Sequence, residues 1–250
     1  MRVLLLGCAL WCCTLAAQDA CPAVFRVAYN NSWLPYVELT DEKVTGSDIE
    51  LLRSLVQQLG SSVQLVRMSE QRALQQLQQG ELDLLIAASY TEDRSRYAYF
   101  SIPYREEHIT AVVNKTVLAA QPELKTSSDF YHLASKHWSG AVNTAGYYGD
   151  EFEHFKHDEG KDRLFHVAEE FRRLQMVAQG RAQYSVVDQK VAHYHISRHQ
   201  ELAELQLLPF LLHKSSIHLM LSHKTISESC VKKLDLQLKK LLKTRTASEQ

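Results

Sequence analysis

Five apolar residues in succession, Leu84 to Ala88, run without a polar interruption into Ser89, Tyr90 and Thr91, and Arg94 follows three residues later. Such a run reads as a buried strand of an open α/β sheet. Ligands of these sheets bind at the strand ends, and a guanidinium fork beside hydroxyls suits a carboxylate. An aromatic-rich segment then closes on Phe100-Ser101 and Pro103-Tyr104.

The rest of the chain alternates strand and helix patterns, which predicts α/β layering with largely parallel sheets. Residues 25–29 read as a first strand. Over 47–59, Ile49, Leu52, Leu55, Val56 and Leu59 share one helical face, and Gly60 stops the helix. A strand over 62–66, a helix over 69–79 stopped by Gly80, a strand over 83–88 and an extended segment over 107–114 follow. The pattern then restarts: a short helix over 127–133 capped by Ser127 and Ser128, a strand over 140–143, and a turn from Thr144 to Gly149 before a helix opening at Asp150 and Glu151. A strand over 163–168, a helix over 169–179, a strand ending at Asp188, an extended segment over 217–222 and an amphipathic helix over 227–242 complete it.

The first residues read as a cleavable secretory signal peptide, residues 1–17: Arg2, an apolar run from Val3 to about Leu15, then small residues. The run is too short for a membrane span, and the lipoprotein-like Leu5-Leu6-Gly7-Cys8 comes too early to leave an apolar core before it. Cys8, Cys12 and Cys13 depart with the leader, leaving Cys21 and Cys230. An even pair in an oxidising compartment suggests a disulfide tying the N-terminus to the last helix, the alternative being two unrelated thiols. Twenty-eight Lys and Arg face 29 Asp and Glu with no basic stripe, so nucleic acid is not an expected partner.

Residues 81–104 resemble, in order and spacing, the first lobe of the amino-acid-binding extracytoplasmic solute-binding proteins of family 3. The pattern there is G-x-x-D, then S/T-x-T-x-x-R, then F-S-x-P-Y. The resemblance covers essentially the whole mature chain. It implies an α/β, two-lobed periplasmic binding protein of type II, with two hinge crossings and a ligand cleft between the lobes. Lobe 1 is expected over residues 21–110 plus 220–250, and lobe 2 over 111–219.

It also implies roles. Arg94 matches the arginine that grips a ligand α-carboxylate, Ser89 a hydroxyl that hydrogen-bonds the ligand, and Trp33 an aromatic against the ligand's side chain or ammonium. Each has a plainer alternative: a surface arginine, a turn hydroxyl, a core tryptophan. Thr91 is expected to cap the helix after it, and Tyr36 to pack. Asp188 matches the carboxylate for the ligand ammonium and also suits a helix cap. The turn holding Thr144, Gly146 and Tyr147 stands where backbone N–H groups meet an anion. It departs from the family's G-T/S turn, and Ala87 replaces a further hydroxyl. Arg72 is a helix arginine placed either toward the cleft or on a solvated face.

His193, His195, His154 and His157 have no third ligand at a metal-binding spacing, and no nucleotide or hydrolase motif occurs. No cofactor and no metal are expected. The expected function is capture of a small polar ligand, an amino acid or related carboxylate, by hinge closure, for an ABC transporter permease or a membrane sensor. A monomer suits that task. Two alternatives stand beside it: a periplasmic enzyme on the same fold, similar to cyclohexadienyl (arogenate) dehydratase, with Asp150, Glu151 and Glu170 near the relevant turns, and a sensor accessory or scaffold without amino-acid binding.

Overall fold

The computed structural model of the protein describes residues 21–41, 43–143 and 146–248. The leader expected over residues 1–17, and Thr144 of the turn, lie outside them.

The chain opens with β1 (Val24–Tyr29), a short hairpin β2 (Glu38–Leu39) and β3 (Val44–Thr45), and α1 (Ser47–Gln58). Then come β4 (Ser62–Arg67), α2 (Glu70–Gln79), β5 (Leu84–Ser89), α3 (Glu92–Ser95), β6 (Ala98–Phe100) and β7 (Arg105–Asn114). The next stretch holds α4 (Lys115–Ala119), α5 (Ser127–Lys136), β8 (Gly140–Val142), α6 (Asp150–His157), β9 (Leu164–His166) and α7 (Glu170–Ala178). It ends in β10 (Tyr184–Asp188), α8 (Gln189–Ile196), β11 (Leu205–Leu207), β12 (His213–Ser222) and α9 (Glu228–Ser248).

Local chemistry sets most boundaries. Ile49, Leu52, Leu55 and Val56 on α1 are almost completely buried, each contributing about 2 kcal/mol by leaving water. Gly80 closes α2 in the left-handed conformation at φ 81°, which glycine reaches without a Cβ clash. The cap of α5 is Thr126, not Ser127 or Ser128. Its hydroxyl takes the Asp129 N–H while the Asp129 carboxylate takes the Thr126 N–H, a reciprocal box that holds two otherwise orphaned donors.

One ten-stranded sheet runs β4-β1-β5-β12-β7-β10-β8-β9, with β6 on β12 and β11 on β7. Its two ends are parallel: β1 pairs β4 and β5, and β8 pairs β9 and β10. The middle is antiparallel. Residues 213–217 of β12 pair with 105–109 of β7, then β12 continues along β5 while β7 continues along β10. These two ten-residue strands are therefore the double crossing of a two-lobed protein. Both begin earlier than the extended segments expected at 107–114 and 217–222.

Apolar side chains gather separately on the two sides. Phe25, Leu52, Leu55, Leu84, Leu219 and Leu234 belong to one cluster, and Phe130, Phe152, Tyr184 and Val186 to another. Cys21 and Cys230 are disulfide-bonded, Cα atoms 5.0 Å apart; Cys230 belongs to the first cluster and Cys21 packs against it. The bridge closes α9 onto the start of β1.

Candidate functional site

The cleft lies where β5, the first turn after β1, the floor strand β7 and the ends of β8 and β10 converge. It encloses about 220 Å³, the space of a small molecule. Ser89, Trp33, Arg94, Asp188, Gly146 and Tyr147 all line it, so residues scattered over 156 positions of sequence meet in one place. Arg72 does not line it: that side chain is exposed on α2, whose Ser69 cap takes the Arg72 N–H.

Arg94 is positioned by the short helix α3. Thr91 caps that helix by accepting the Arg94 N–H at 3.2 Å, and the Arg94 guanidinium returns to the Ser89 carbonyl at 3.2 Å. Among the described residues no carboxylate lies within ion-pair distance of it. Ser89 is 5 % exposed and its hydroxyl receives the Ser215 hydroxyl at 3.1 Å from β12. Just before it, Ala87 has φ 58° at a bulge opposite β12, a left-handed backbone that costs an L-residue about 1–2 kcal/mol. The buried Tyr104 hydroxyl receives the Ala87 N–H at 3.0 Å and donates to Asp48 at 2.7 Å.

Asp188 ends β10 and caps α8. Its Oδ1 accepts the Lys190 and Val191 N–H groups and the Tyr36 hydroxyl, and its Oδ2 accepts the His108 N–H. The cap and the cleft position coexist, and most of the acceptor capacity is already filled. Tyr36 packs, 4 % exposed.

The turn before α6 is tied to itself. Gly146 N–H donates to the Asn143 carbonyl, and Tyr148 N–H to Glu153. The Tyr147 hydroxyl donates to Asp150 at 2.7 Å. A Cβ at Gly146 would stand 2.9 Å from the Tyr148 ring, so any other residue there requires that ring to shift.

Beneath Trp33 lies a charged cluster that sequence patterns did not single out. The Arg105 guanidinium stacks 3.8 Å from the Tyr36 ring centroid and 5.0 Å from that of Trp33. It pairs with Asp48 at 3.2 Å and with Glu107 at 2.8 Å. Trp33 therefore already faces one cation. Glu107 lines the cleft and is buried. Burial, opposed by Arg105 and reinforced by Asp188, pushes its carboxyl up to about 7. Its parity along β7, shared with the buried Ile109, Ala111 and Val113, is the signal that would have turned it inward.

On the opposite wall the buried Arg173 pairs with Glu170 and donates to the Val167 and Ala168 carbonyls. Burial pushes Glu170 upward against that pairing. The Asn143 amide donates to Glu70 of α2 across the cleft at 3.0 Å. Among the described residues no three His, Cys, Asp or Glu side chains converge as a metal site, and no helix is long and apolar enough to cross a membrane.

Two α/β lobes joined by two antiparallel crossings, with a cleft between them, make the type II periplasmic-binding-protein fold. The sequence model of bacterial extracellular solute-binding proteins, family 3, matches residues 25–248, and the chain belongs to that family. No functionally curated protein matches it in sequence. Among solved structures, it is similar to an amino acid ABC transporter substrate-binding protein, AbpA, from Streptococcus pneumoniae bound to L-arginine. That match has TM-score 0.73 and 21% identity over 91% of this chain and 92% of that one. A histidine kinase sensor domain with similarity to periplasmic binding proteins matches at TM-score 0.74 and 18% identity, over 90% and 93%. The ancestral amino acid-binding protein AncCDT-1, a precursor of cyclohexadienyl dehydratase, matches at 0.72 and 22%, over 91% and 93%. At these identities the likeness is one of fold.

Proposed function

We propose that the protein captures an amino acid or related small carboxylate outside the cytoplasm and closes its two lobes around it. The observation that carries this reading is Arg94: a guanidinium on the cleft wall, without a carboxylate partner among the described residues, beside the strand end at Ser89. A ligand carboxylate there gains charge-assisted hydrogen bonds. Trp33, Asp188 and the turn at Gly146 and Tyr147 complete the contacts, and Thr144 belongs to the same proposal. Closure follows because the ligand touches both walls only in the closed state, which shifts the population toward it.

The division proposed is residues 21–110 plus 220–250 for lobe 1 and 111–219 for lobe 2, after removal of a leader over 1–17 into the periplasm. The separate apolar clusters on either side of the crossings support it. Delivery is to an ABC-type permease or a membrane sensor, with the protein acting as a monomer.

The test is a thermal-shift screen of the protein against the amino acids and small carboxylates, repeated with Arg94→Ala. A ligand present at about a hundred times its Kd adds about 2.7 kcal/mol to the native state. At least one compound should stabilise the wild type and fail to stabilise the variant; no hit in the whole set removes the reading. One observation favours a second reading, an enzyme of the arogenate dehydratase type: Glu107 is a cleft carboxyl held up to about 7, the range of a working general acid. Turnover of arogenate by the wild type, lost in Glu107→Gln, would establish that alternative.

A further inference from the structure

The floor of the cleft is short of positive charge. Two carboxylates, Asp48 from α1 and Glu107 from β7, flank the buried guanidinium of Arg105, and a third, Asp188 from β10, acts on Glu107. Arg105 is divided between two of them, and it also packs against the rings of Tyr36, Trp33 and Tyr104. Asp188 has its oxygens occupied by three N–H groups and the Tyr36 hydroxyl. Glu107 is different. It is 6 % exposed and lines the cleft. Among the described residues its one cationic partner is Arg105, whose Nη1 lies 2.8 Å from Oε1 in an ion pair set off the hydrogen-bond direction. The groups facing it are Arg105 at its own end of β7, Asp48 from α1, Asp188 from β10 and Tyr36 from the loop after β1. Ser215, its register partner on β12, already donates to Ser89. No second cation among them completes the ledger of charge, and a buried carboxylate left short of partners is costly.

We infer that Glu107 is the carboxylate that receives the cationic group of the ligand, and that it gives up a proton to solvent as that group arrives. The inference rests on reading the cleft as an amino-acid site: the ligand carboxylate goes to Arg94 and its ammonium, or a second cationic group, to the floor at Glu107. The balance is simple. A neutral carboxylic acid and an ammonium become a carboxylate–ammonium pair, and one proton passes to the buffer. The carboxyl of the empty protein, held up to about 7 by burial, is mostly protonated at about pH 6 and mostly ionised at about pH 8. Affinity for a cationic group therefore rises about tenfold between those values and levels off above them.

The experiment measures binding of the twenty L-amino acids at about pH 6 and about pH 8, by thermal shift. The tightest is then followed by calorimetry in two buffers of different ionisation enthalpy, which counts protons released. The wild type should bind about tenfold more tightly at the higher pH and release protons near pH 7. Glu107→Gln should lose both the release and the pH dependence, and bind at least about tenfold more weakly at pH 8. Glu107→Asp, which keeps the charge one methylene further back, should retain the release, and it decides the matter if Glu107→Gln does not fold. A purely structural partner of Arg105 would not move the proton count. Binding by the wild type with an unchanged proton count and affinity in the Glu107 variants overturns this role and leaves the amino-acid reading intact. Binding of no amino acid at all overturns both.

Discussion

Replacing both half-cystines, as Cys21→Ala with Cys230→Ala, should destabilise the protein by about 5 kcal/mol. The bridge spans 209 positions, and cross-linking a loop of that length removes unfolded-chain entropy worth about 5 kcal/mol at 25 °C. The alanine pair avoids placing a buried hydroxyl at residue 230, where the side chain is wholly buried against Leu234 and Leu238. With a urea slope of about 2–3 kcal/mol/M for a chain of this size, the unfolding midpoint should fall by about 2 M. Neither cysteine lines the cleft, and Cys21 packs against the apolar cluster that holds Cys230. Ligand affinity under native conditions should therefore be unchanged. Urea titrations of the oxidised wild type, the reduced wild type and the double variant measure this directly. A midpoint shift under about 0.4 M would refute the entropic reasoning, since the ends would then be held equally well by packing or by residual structure in the unfolded chain. A loss of affinity would refute the assignment of the bridge to one lobe.

Ala87→Gly should stabilise by up to about 1 kcal/mol, the relief of a left-handed alanine less the added unfolded entropy of glycine, whereas Ala87→Val should destabilise; chemical unfolding that found the glycine variant clearly less stable would contradict the strain at this bulge. Tyr104→Phe should cost about 1–3 kcal/mol, because the Ala87 N–H loses its partner and the buried Asp48 oxygen keeps Arg105 alone, and an unchanged melting temperature would refute that accounting. In the empty protein, Glu107 binds a proton more tightly than it does in the unfolded chain, where its pKa is about 4.3. The native state then holds more protons between that value and about 7, so stability falls as pH rises through the window, by up to about 4 kcal/mol. Asp48 and Glu170, also raised by burial, act in the same direction. Urea midpoints of wild type and Glu107→Gln should accordingly diverge between about pH 5 and about pH 8, the wild type losing ground, and parallel curves would contradict the shift.

What was legible in the sequence is what local rules control. The amphipathic face of α1, the glycine stop of α2, the apolar run of β5 and the hydroxyl-to-arginine step after it need only neighbouring residues. Thr91 capping α3 and Asp188 capping α8 follow from the same rules. The cap of α5 falls one residue before the expected serines because Thr126 and two serines compete for one role, and only the position of Asp129 decides it.

Long-range geometry explains the rest. Asp188 is filled partly by a tyrosine hydroxyl from 152 positions away, which no pattern around residue 188 announces. Glu107 sits in a segment that reads as plain extended chain, and its place on the cleft floor comes from β7 pairing both β12 and β10. Glu170 and Arg173 have the three-residue spacing of an ordinary helix-surface pair, yet both are buried. Arg72 had two possible faces on α2, and the packing of Ala73 and Leu77 turned it to solvent.

The measurement closest to the central claim is a calorimetric cycle. It compares the best-binding amino acid with its decarboxylated amine, on wild type and on Arg94→Ala. If Arg94 holds the carboxylate, decarboxylation should weaken wild-type binding about 10- to 150-fold, the worth of a charge-assisted hydrogen-bonded pair. In Arg94→Ala the amino acid and the amine should bind alike. An amine that binds the wild type as tightly as the amino acid, or a carboxylate that keeps its full worth without Arg94, would contradict the account.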